Sequence, residues 1–210
     1  MPTRPSTPTR ERILDAAEQL MRTIGLARTT TKEIARAAHC SEAALYKHFT
    51  GKEEIFIHVL QERLPRLAPL LDELNAAAAA DAGAPGEPAR GIEENLIEIA
   101  QHAARFYERS FPIAASLFAE PKLLRRHDEA MRKLGSGPHK PVEALAGYLR
   151  AEREGGRLRA DADPDAAAAL LLGACHQRAI LLSIGGGAEA AQPLEEFAAN
   201  LVRTLLGGIR

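Results

Sequence analysis

Residues 29–56 read TTTKEIARAAHCSEAALYKHFTGKEEIF, and this stretch predicts two short helices joined by a tight turn. Thr30 and Glu33 have the three-residue spacing of a capping box, so a helix is expected to begin there. Ser41 is a favoured N-cap residue and predicts a second short helix from residue 42 to about residue 49. Two short helices joined in this way have the geometry that seats the second helix in the major groove of DNA.

The second helix of this pair is predicted to have a buried face and an exposed face. Leu45 and Phe49 fall on the core side. On the exposed side, the hydroxyl of Tyr46 and the charge of Lys47 both suit phosphate oxygens. The alternatives are a Tyr46 packed on the surface and a solvated Lys47, and His48 is either a phosphate contact or flank packing. The predicted DNA contacts are Thr29, Thr30, Ser41, Glu42, Ala43, Tyr46, Lys47, His48 and Lys52.

The same stretch resembles the N-terminal DNA-binding domain of the TetR/AcrR family of transcriptional regulators, over roughly residues 10–56. The resemblance rests on the Thr pair, the small apolar residues of the bracing helix, Ser41, the run Leu45-Tyr46-Lys47-His48-Phe49 and the Lys-Glu start of the next helix. In the turn, His39-Cys40 stands where the family usually has Gly-Val. We expect His39 to adopt a positive φ at some conformational cost, and Cys40 to replace Val as a small apolar core residue.

A second departure is Glu42, where family members often carry a basic or small polar residue. Glu42 either accepts a hydrogen bond from a cytosine amino group or remains solvated and mildly repelled by phosphate. The residues alone leave both interpretations open.

Outward from this stretch, the composition predicts an all-α chain. Of 210 residues, 46% are hydrophobic and only 4% aromatic, with Ala and Leu dominant and Val, Ile and Thr too sparse to line a sheet. The first helix is expected to start at Thr7-Pro8 and stop at Gly25. A low-complexity stretch at residues 76–90 reads as a helix tail followed by a loop. Further helices are predicted at residues 92–110, 112–118, 123–134, 142–154, 164–184 (closed by three glycines) and 194–206.

The charge distribution divides the chain near the end of the DNA-binding stretch. Residues 1–52 hold nine Lys and Arg against five Asp and Glu, whereas the remainder holds eighteen against twenty-three. A basic head on an acidic body is expected when one end meets phosphate. We therefore predict a three-helix DNA-binding domain with a helix-turn-helix at residues 1–64 and a helical bundle for ligand binding and dimerisation at residues 65–210.

Several features predict a cytoplasmic protein without a membrane partner. Cys40 and Cys175 are too far apart in sequence for a disulfide framework or a metal knuckle. The first ten residues contain no apolar stretch of a secretory signal. The longest apolar run, residues 166–184, is interrupted by His176, Gln177 and Arg178, which a lipid-facing helix rarely tolerates.

The last two helices have apolar faces broader than burial within one monomer requires, which favours association of two copies. The resemblance implies the same homodimer, a palindromic double-stranded DNA operator, and a cavity for a small-molecule effector in each body. For each aromatic residue in the candidate effector set below, the alternative to effector binding is packing in the core. Arg178 either pairs across the dimer, binds an anionic ligand or faces water. Candidate effector-binding residues are His102, Phe106, Phe111, Leu117, Phe118, Tyr148, Cys175 and Arg178.

Other classes of function have weaker support in the sequence. An enzyme is disfavoured because the chain has no HExxH motif, Walker loop, nucleotide-binding Gly fingerprint or nucleophile elbow. Two ladders of Glu and His at four-residue spacing read as solvated faces, so no metal or cofactor is predicted. A helical adaptor or small-molecule-binding protein without DNA binding remains the alternative. The ladders are Glu94, Glu98 and His102, and Glu54, His58 and Glu62.

Overall fold

Nine α-helices form the part of the chain that the computed structural model describes, namely residues 8–26, 28–63, 69, 71–73, 76, 91–118, 120–133, 137–184 and 192–209. The predicted all-α class is confirmed. In chain order the helices are α1 Thr9–Ile24, α2 Thr31–Ala37, α3 Glu42–Tyr46, α4 Lys52–Glu62, α5 Ile92–Phe118, α6 Pro121–Lys133, α7 Lys140–Glu154, α8 Pro164–Ser183 and α9 Leu194–Ile209.

Side-chain caps set several of these boundaries as predicted. Thr30 and Glu33 form the expected capping box at the start of α2, and the Ser41 side chain accepts a hydrogen bond from the Ala44 N–H. Asp163 caps α8, while Gly25, with φ of 82°, ends α1. The side chains of Thr30, Ser41 and Asp163 each accept from backbone N–H groups that a helix start otherwise leaves without partners.

Several helix boundaries differ from the sequence prediction, and others lie outside the described residues. The first helix begins at Thr9, with Pro8 as the residue before it instead of its first helical residue. The helix of Ser41 ends at residue 46 instead of 49, and α7 begins at residue 140 instead of 142. Thr7 and the three glycines after α8 lie outside the described residues, as do residues 77–90 of the low-complexity stretch.

The largest correction concerns Pro112, which lies inside the single helix α5 instead of starting a new one. Its ring cannot donate the helical hydrogen bond, a defect that costs about 3 kcal/mol. Beyond it, Ile113 and Leu117 are almost fully buried, and burying such side chains contributes about 1.5–3 kcal/mol each. Tertiary burial therefore offsets the break that the proline alone predicts.

The described residues fall into two compact units. The N-terminal unit comprises those within residues 1–64 and 112–135, and the C-terminal unit those within residues 65–111 and 136–210. The N-terminal unit therefore contains α1 to α4, the end of α5, and α6.

The N-terminal unit is built on the pairing of α1 with α4. Ile13 and Met21 of α1 and Ile55, Phe56 and Val59 of α4 are all fully buried. Two arginines join the edges of the same pair. Arg10 donates to both oxygens of Glu62, at 2.8 and 2.6 Å, and Arg63 pairs with Glu11 and Asp15.

The core of the C-terminal unit lies between α5, α7, α8 and α9, with buried Leu96, Tyr148, Leu171 and Val202 at its centre. Among the described helices, α8 alone is long and apolar enough to cross a membrane by length and composition. It also contributes to the core of this unit, because buried residues recur along one side of it from Pro164 to Ala179. The buried residues of α8 are Pro164, Ala167, Ala168, Leu171, Leu172, Cys175 and Ala179.

Candidate nucleic-acid interface

Helices α2 and α3 form a helix-turn-helix whose turn is held by backbone hydrogen bonds. The Cys40 N–H donates to the Ala35 carbonyl at 2.9 Å, and the His39 N–H donates to the Arg36 carbonyl at 3.1 Å. His39 has φ of 52°, as predicted from its place in the turn. Cys40 is half-buried.

The α3 helix is anchored from behind by two apolar side chains. Leu45 is fully buried and Phe49 is 2% exposed, as predicted. The cation of Arg10 lies over the Phe49 ring, 5.5 Å from its centroid, and the His58 ring packs against the same ring. The anchoring fixes which face of α3 points outward.

The outward face of α3 and its flanks carry most of the predicted DNA contacts. Tyr46 is 52% exposed. Ser41 accepts from the Ala44 N–H at 3.1 Å, a bond that leaves the Ser41 hydroxyl proton for an outside acceptor. The other residues of the set that lie exposed here are Glu42, Ala43, Lys47 and His48.

The remaining predicted contacts are engaged within the protein. Thr29 is fully buried and its hydroxyl donates to the Gly25 carbonyl at 2.8 Å, so assigning Thr29 to DNA contact was wrong for its side chain. The Lys52 ammonium is half-buried and donates to the Leu26 carbonyl at 3.1 Å. Thr30 is exposed, but its hydroxyl donates to Glu33 at 2.8 Å within the capping box.

One residue that the sequence did not single out, Thr31, connects α2 to α3. Its hydroxyl lies 3.0 Å from a carboxylate oxygen of Glu42 and 3.2 Å from the hydroxyl of Tyr46. Since a carboxylate can only accept, Thr31 donates to Glu42, and Tyr46 must then donate to Thr31. A run of three threonines gives no signal of which one faces the second helix.

The ladder of Glu54, His58 and Glu62 is part of this scaffold, and its side chains have structural partners. His58 lies 2.7 Å from Glu62, and Glu54 accepts from both the N–H and the hydroxyl of Thr50. The Arg10 hydrogen bonds lower the pKa of Glu62 to about 2. Among the described residues, no three His, Cys, Asp or Glu side chains are grouped so that they could hold a metal ion.

The predicted effector residues are divided between the two units. Leu117, which is buried, and Phe118, which is 77% exposed, belong to the N-terminal unit. The other six are in the C-terminal unit, where Phe106 and Phe111 are half-buried and His102 is exposed.

Two of these six, Tyr148 and Cys175, are buried and make their contacts inside the C-terminal unit. Tyr148 is buried and its hydroxyl accepts from Asn95 at 3.0 Å. The thiol of Cys175 lies 3.5 Å from the Ala100 carbonyl, and burial raises the pKa of this thiol to about 12.

Arg178 finds its partner within the chain. Its side chain donates to Glu108 and to the Gln192 carbonyl, both at 2.8 Å. Its cation also lies 4.9 Å from the centroid of the Phe197 ring. The neighbouring His176 ring packs against Tyr107 and Phe111.

The N-terminal unit contains an open cavity of about 520 Å³ between α4 and α6. None of the residues that line it belongs to the predicted effector set, and their charges are of mixed sign. They are Lys52, Glu53, Glu120, Lys122, Leu123, Arg125, Arg126 and Glu129.

The charge asymmetry follows the structural units. Residues 1–64 and 112–135 together hold fifteen Lys and Arg against eleven Asp and Glu, whereas the other unit holds twelve against seventeen. The positive unit is the one that contains the helix-turn-helix, as expected of a surface that meets DNA.

Comparison with known proteins agrees with this geometry. Residues 13–59 match the family "Bacterial regulatory proteins, tetR family", and residues 94–207 match the "AefR-like transcriptional repressor, C-terminal domain". The chain is 26% identical over 149 residues to the uncharacterized HTH-type transcriptional regulator YvkB of Bacillus subtilis, covering 71% of this chain and 70% of that protein.

Two solved structures have the same fold. SmeT in complex with triclosan is 24% identical, with a TM-score of 0.67 over 96% of this chain and 91% of that one. SmeT is the repressor of the Stenotrophomonas maltophilia multidrug efflux pump SmeDEF. FadR from Bacillus subtilis in complex with stearoyl-CoA is 16% identical, with a TM-score of 0.63 over 95% of this chain and 99% of that one.

The N-terminal match covers the helix-turn-helix, and the C-terminal match covers more than half of the chain. The protein is therefore a DNA-binding transcriptional regulator and not an enzyme, and it belongs to the TetR family.

Proposed function

We propose that the protein is a ligand-responsive repressor in the cytoplasm, which binds a palindromic operator as a homodimer and is released by a small, largely apolar molecule. Residues 1–64 carry DNA binding in this proposal, and residues 65–210 carry effector binding and dimerisation. The observation that carries it is the outward face of α3, where Tyr46 and Lys47 are exposed while Leu45 and Phe49 are anchored in the core.

In the proposed complex, Ser41, Lys47 and His48 contact phosphates and fix the position of α3 in the major groove. Tyr46, whose hydroxyl proton is donated to Thr31, contacts the DNA through its exposed ring. Thr29 is excluded because its side chain is buried and bonded. Lys52 contributes through its two remaining N–H donors, since one donor is used by the Leu26 carbonyl.

The homodimer is proposed to form through α8 and α9. Leu170 and Leu181, each at least 60% exposed, lie on the side of α8 away from its buried residues. They share that side with small Ala166, Ala169 and Gly173, which are also exposed. Large apolar side chains among small ones suit close packing against another helix, and burial of each leucine contributes about 1.5–3 kcal/mol.

This dimer is tested by changing both exposed leucines, Leu170→Glu and Leu181→Glu, and measuring mass by sedimentation equilibrium. The expected result is a monomer. The matched control is Leu124→Glu, which changes a leucine that is 36% exposed in the N-terminal unit and is expected to leave the dimer intact. A dimer that survives the double change would contradict this interface.

The apolar effector is proposed from the composition of the C-terminal unit and from two proteins of the same fold. Its core is built from Ala, Leu and Ile, with Tyr148 the only aromatic residue among its fully buried described side chains. SmeT is seen with triclosan and FadR with stearoyl-CoA. Among the predicted effector residues of the C-terminal unit, half-buried Phe106 and Phe111 and exposed His102 keep accessible surface.

Release from DNA requires that the effector bind the DNA-incompetent arrangement more tightly. A coupling free energy of about 1–3 kcal/mol would weaken DNA binding about 5–150-fold. The ion pair of Arg178 with Glu108 is internal and partly buried, so we do not assign it to an anionic effector group.

The experiment that tests DNA binding is selection of sites from a random duplex library by the purified protein. The expected product is a palindrome with half-sites about one helical turn apart. The double variant Tyr46→Ala, Lys47→Ala should recover no motif, whereas Lys140→Ala, which removes an exposed cation from the C-terminal unit, should recover the same palindrome. A motif recovered equally by both variants would overturn the proposal.

A further inference from the structure

We propose that Glu42 is the base-reading residue of α3 and that it selects a cytosine in each half-site, with Thr31 as its positioning residue. This inference rests on the proposed DNA binding. It starts from the hydrogen bond between the Thr31 hydroxyl and Glu42 Oε1 at 3.0 Å, which joins the first residue of α2 to the first residue of α3.

The proton positions in this contact are determined by chemistry. Glu42 can only accept, so the single hydroxyl proton of Thr31 is directed to Oε1. Tyr46, 3.2 Å from the Thr31 oxygen, must then supply its own proton to Thr31. The hydrogen bonds therefore run from Tyr46 to Thr31 and from Thr31 to Glu42. They leave Oε2 of Glu42 as the acceptor without a partner in this group.

This arrangement differs from that of a solvated surface glutamate. A carboxylate on a long flexible side chain ordinarily samples many rotamers and lies away from a phosphate backbone that repels it. Here the Thr31 hydroxyl holds the carboxylate of exposed Glu42, and the same hydroxyl contacts exposed Tyr46 of α3. A negative charge held at a DNA-facing position is unfavourable unless DNA offers it a donor.

The major groove offers a donor to a carboxylate at only two bases. Guanine and thymine present acceptors there, which would repel Glu42. Adenine presents its amino donor beside the N7 acceptor, whereas cytosine presents its N4 amino group without an acceptor on the same base. A carboxylate that has one oxygen bonded to Thr31 therefore accepts a hydrogen bond most favourably from the N4 amino group of cytosine.

The test is site selection followed by affinity measurement on duplexes that differ at one base pair in each half-site. Wild-type protein is expected to recover cytosine at one position per half-site, and any other base there should weaken binding about 5–150-fold. The Glu42→Ala variant should lose preference at that position alone and bind non-specific DNA at least as well as the wild type. The Glu42→Gln variant should shift the preference to adenine, which a glutamine amide recognises through N6 and N7.

The role of Thr31 is separated from simple stability by a matched pair of variants. Thr31→Val keeps the shape but removes the hydroxyl, and it should weaken the cytosine preference. Thr31→Ser restores the hydroxyl and should restore the preference. Equal base preferences in the two variants, at equal melting temperatures, would overturn the positioning role.

Failure of the inference is distinguishable from failure of the proposed function. A palindrome whose bases are unchanged in Glu42→Ala would overturn base reading by Glu42 while leaving the repressor proposal standing. Absence of any motif from wild-type protein would overturn the proposed DNA binding, and this inference with it.

Discussion

Replacing His39 by glycine should stabilise the protein, although it removes a whole side chain. His39 has a positive φ of 52°, the only such non-glycine residue in the described part of the chain. The left-handed conformation costs an L-residue about 1–2 kcal/mol, and glycine avoids that cost. Glycine also makes the unfolded chain more flexible, and this entropy lowers the free energy of unfolding by about 0.4–1 kcal/mol. The difference predicts a net stabilisation of about 0.5–1 kcal/mol.

The structure supplies a matched control in His48. This histidine is also exposed and lies nine residues later, but it has no positive φ. His48→Gly therefore incurs the entropic cost without any relief of strain, and it should destabilise the protein by about 0.4–1 kcal/mol. The two substitutions are identical in chemistry and opposite in expected sign.

The assay is equilibrium urea unfolding, supported by thermal melting. For a chain of this size, 1 kcal/mol corresponds to a shift of about 2–4 °C in Tm. We expect His39→Gly to raise the midpoint and His48→Gly to lower it, with the urea m-value unchanged in both. If His39→Gly lowered the midpoint as much as His48→Gly, the turn would hold no strain and the reasoning would be refuted.

Three further predictions concern other titratable groups. Glu62→Gln should lower the free energy of unfolding by about 1 kcal/mol at pH 7, because Arg10 lowers the pKa of Glu62 to about 2. The effect is no larger because the pair is partly exposed. In acid-unfolding titrations the difference from wild type should shrink as the pH falls from 5 towards 2. His127 is half-buried, its Nδ1 atom is buried without a hydrogen-bond partner, and burial lowers its pKa, so the stability of wild type should decrease as the pH falls below about 6.5. His127→Leu should remove that loss and add ~1 kcal/mol to the free energy of unfolding, checked by urea unfolding at pH 7 and pH 5. Burial raises the pKa of Cys175 to about 12, so iodoacetamide should label half-buried Cys40 first in the native protein, as mass spectrometry of the digest would show; equal labelling would contradict the core placement.

Local signals in the sequence were sufficient to predict the helix-turn-helix. The capping box at Thr30, the N-cap at Ser41 and the positive φ of His39 each follow from one or a few neighbouring residues. Such features depend on backbone hydrogen bonds within a few positions. The same signals predicted the buried face of α3, with Leu45 and Phe49.

Features that depend on distant residues could not be predicted. The end of the helix at Pro112 was misplaced because tertiary burial beyond the proline outweighs its local penalty. Thr29 and Thr31 have nearly the same local surroundings in sequence, yet one is buried beside Gly25 and the other faces Glu42. Only the packing of α2 against its neighbours separates the two roles.

The central claim, that the outward face of α3 is the DNA-binding surface, is tested most directly by the salt dependence of affinity for the selected palindrome. Each lost phosphate contact should reduce the slope of log K against log salt by about 0.9. Lys47→Ala should therefore lower the slope by about 0.9 for each half-site, whereas Lys140→Ala should leave it unchanged. Identical slopes for wild type and Lys47→Ala would contradict the claim.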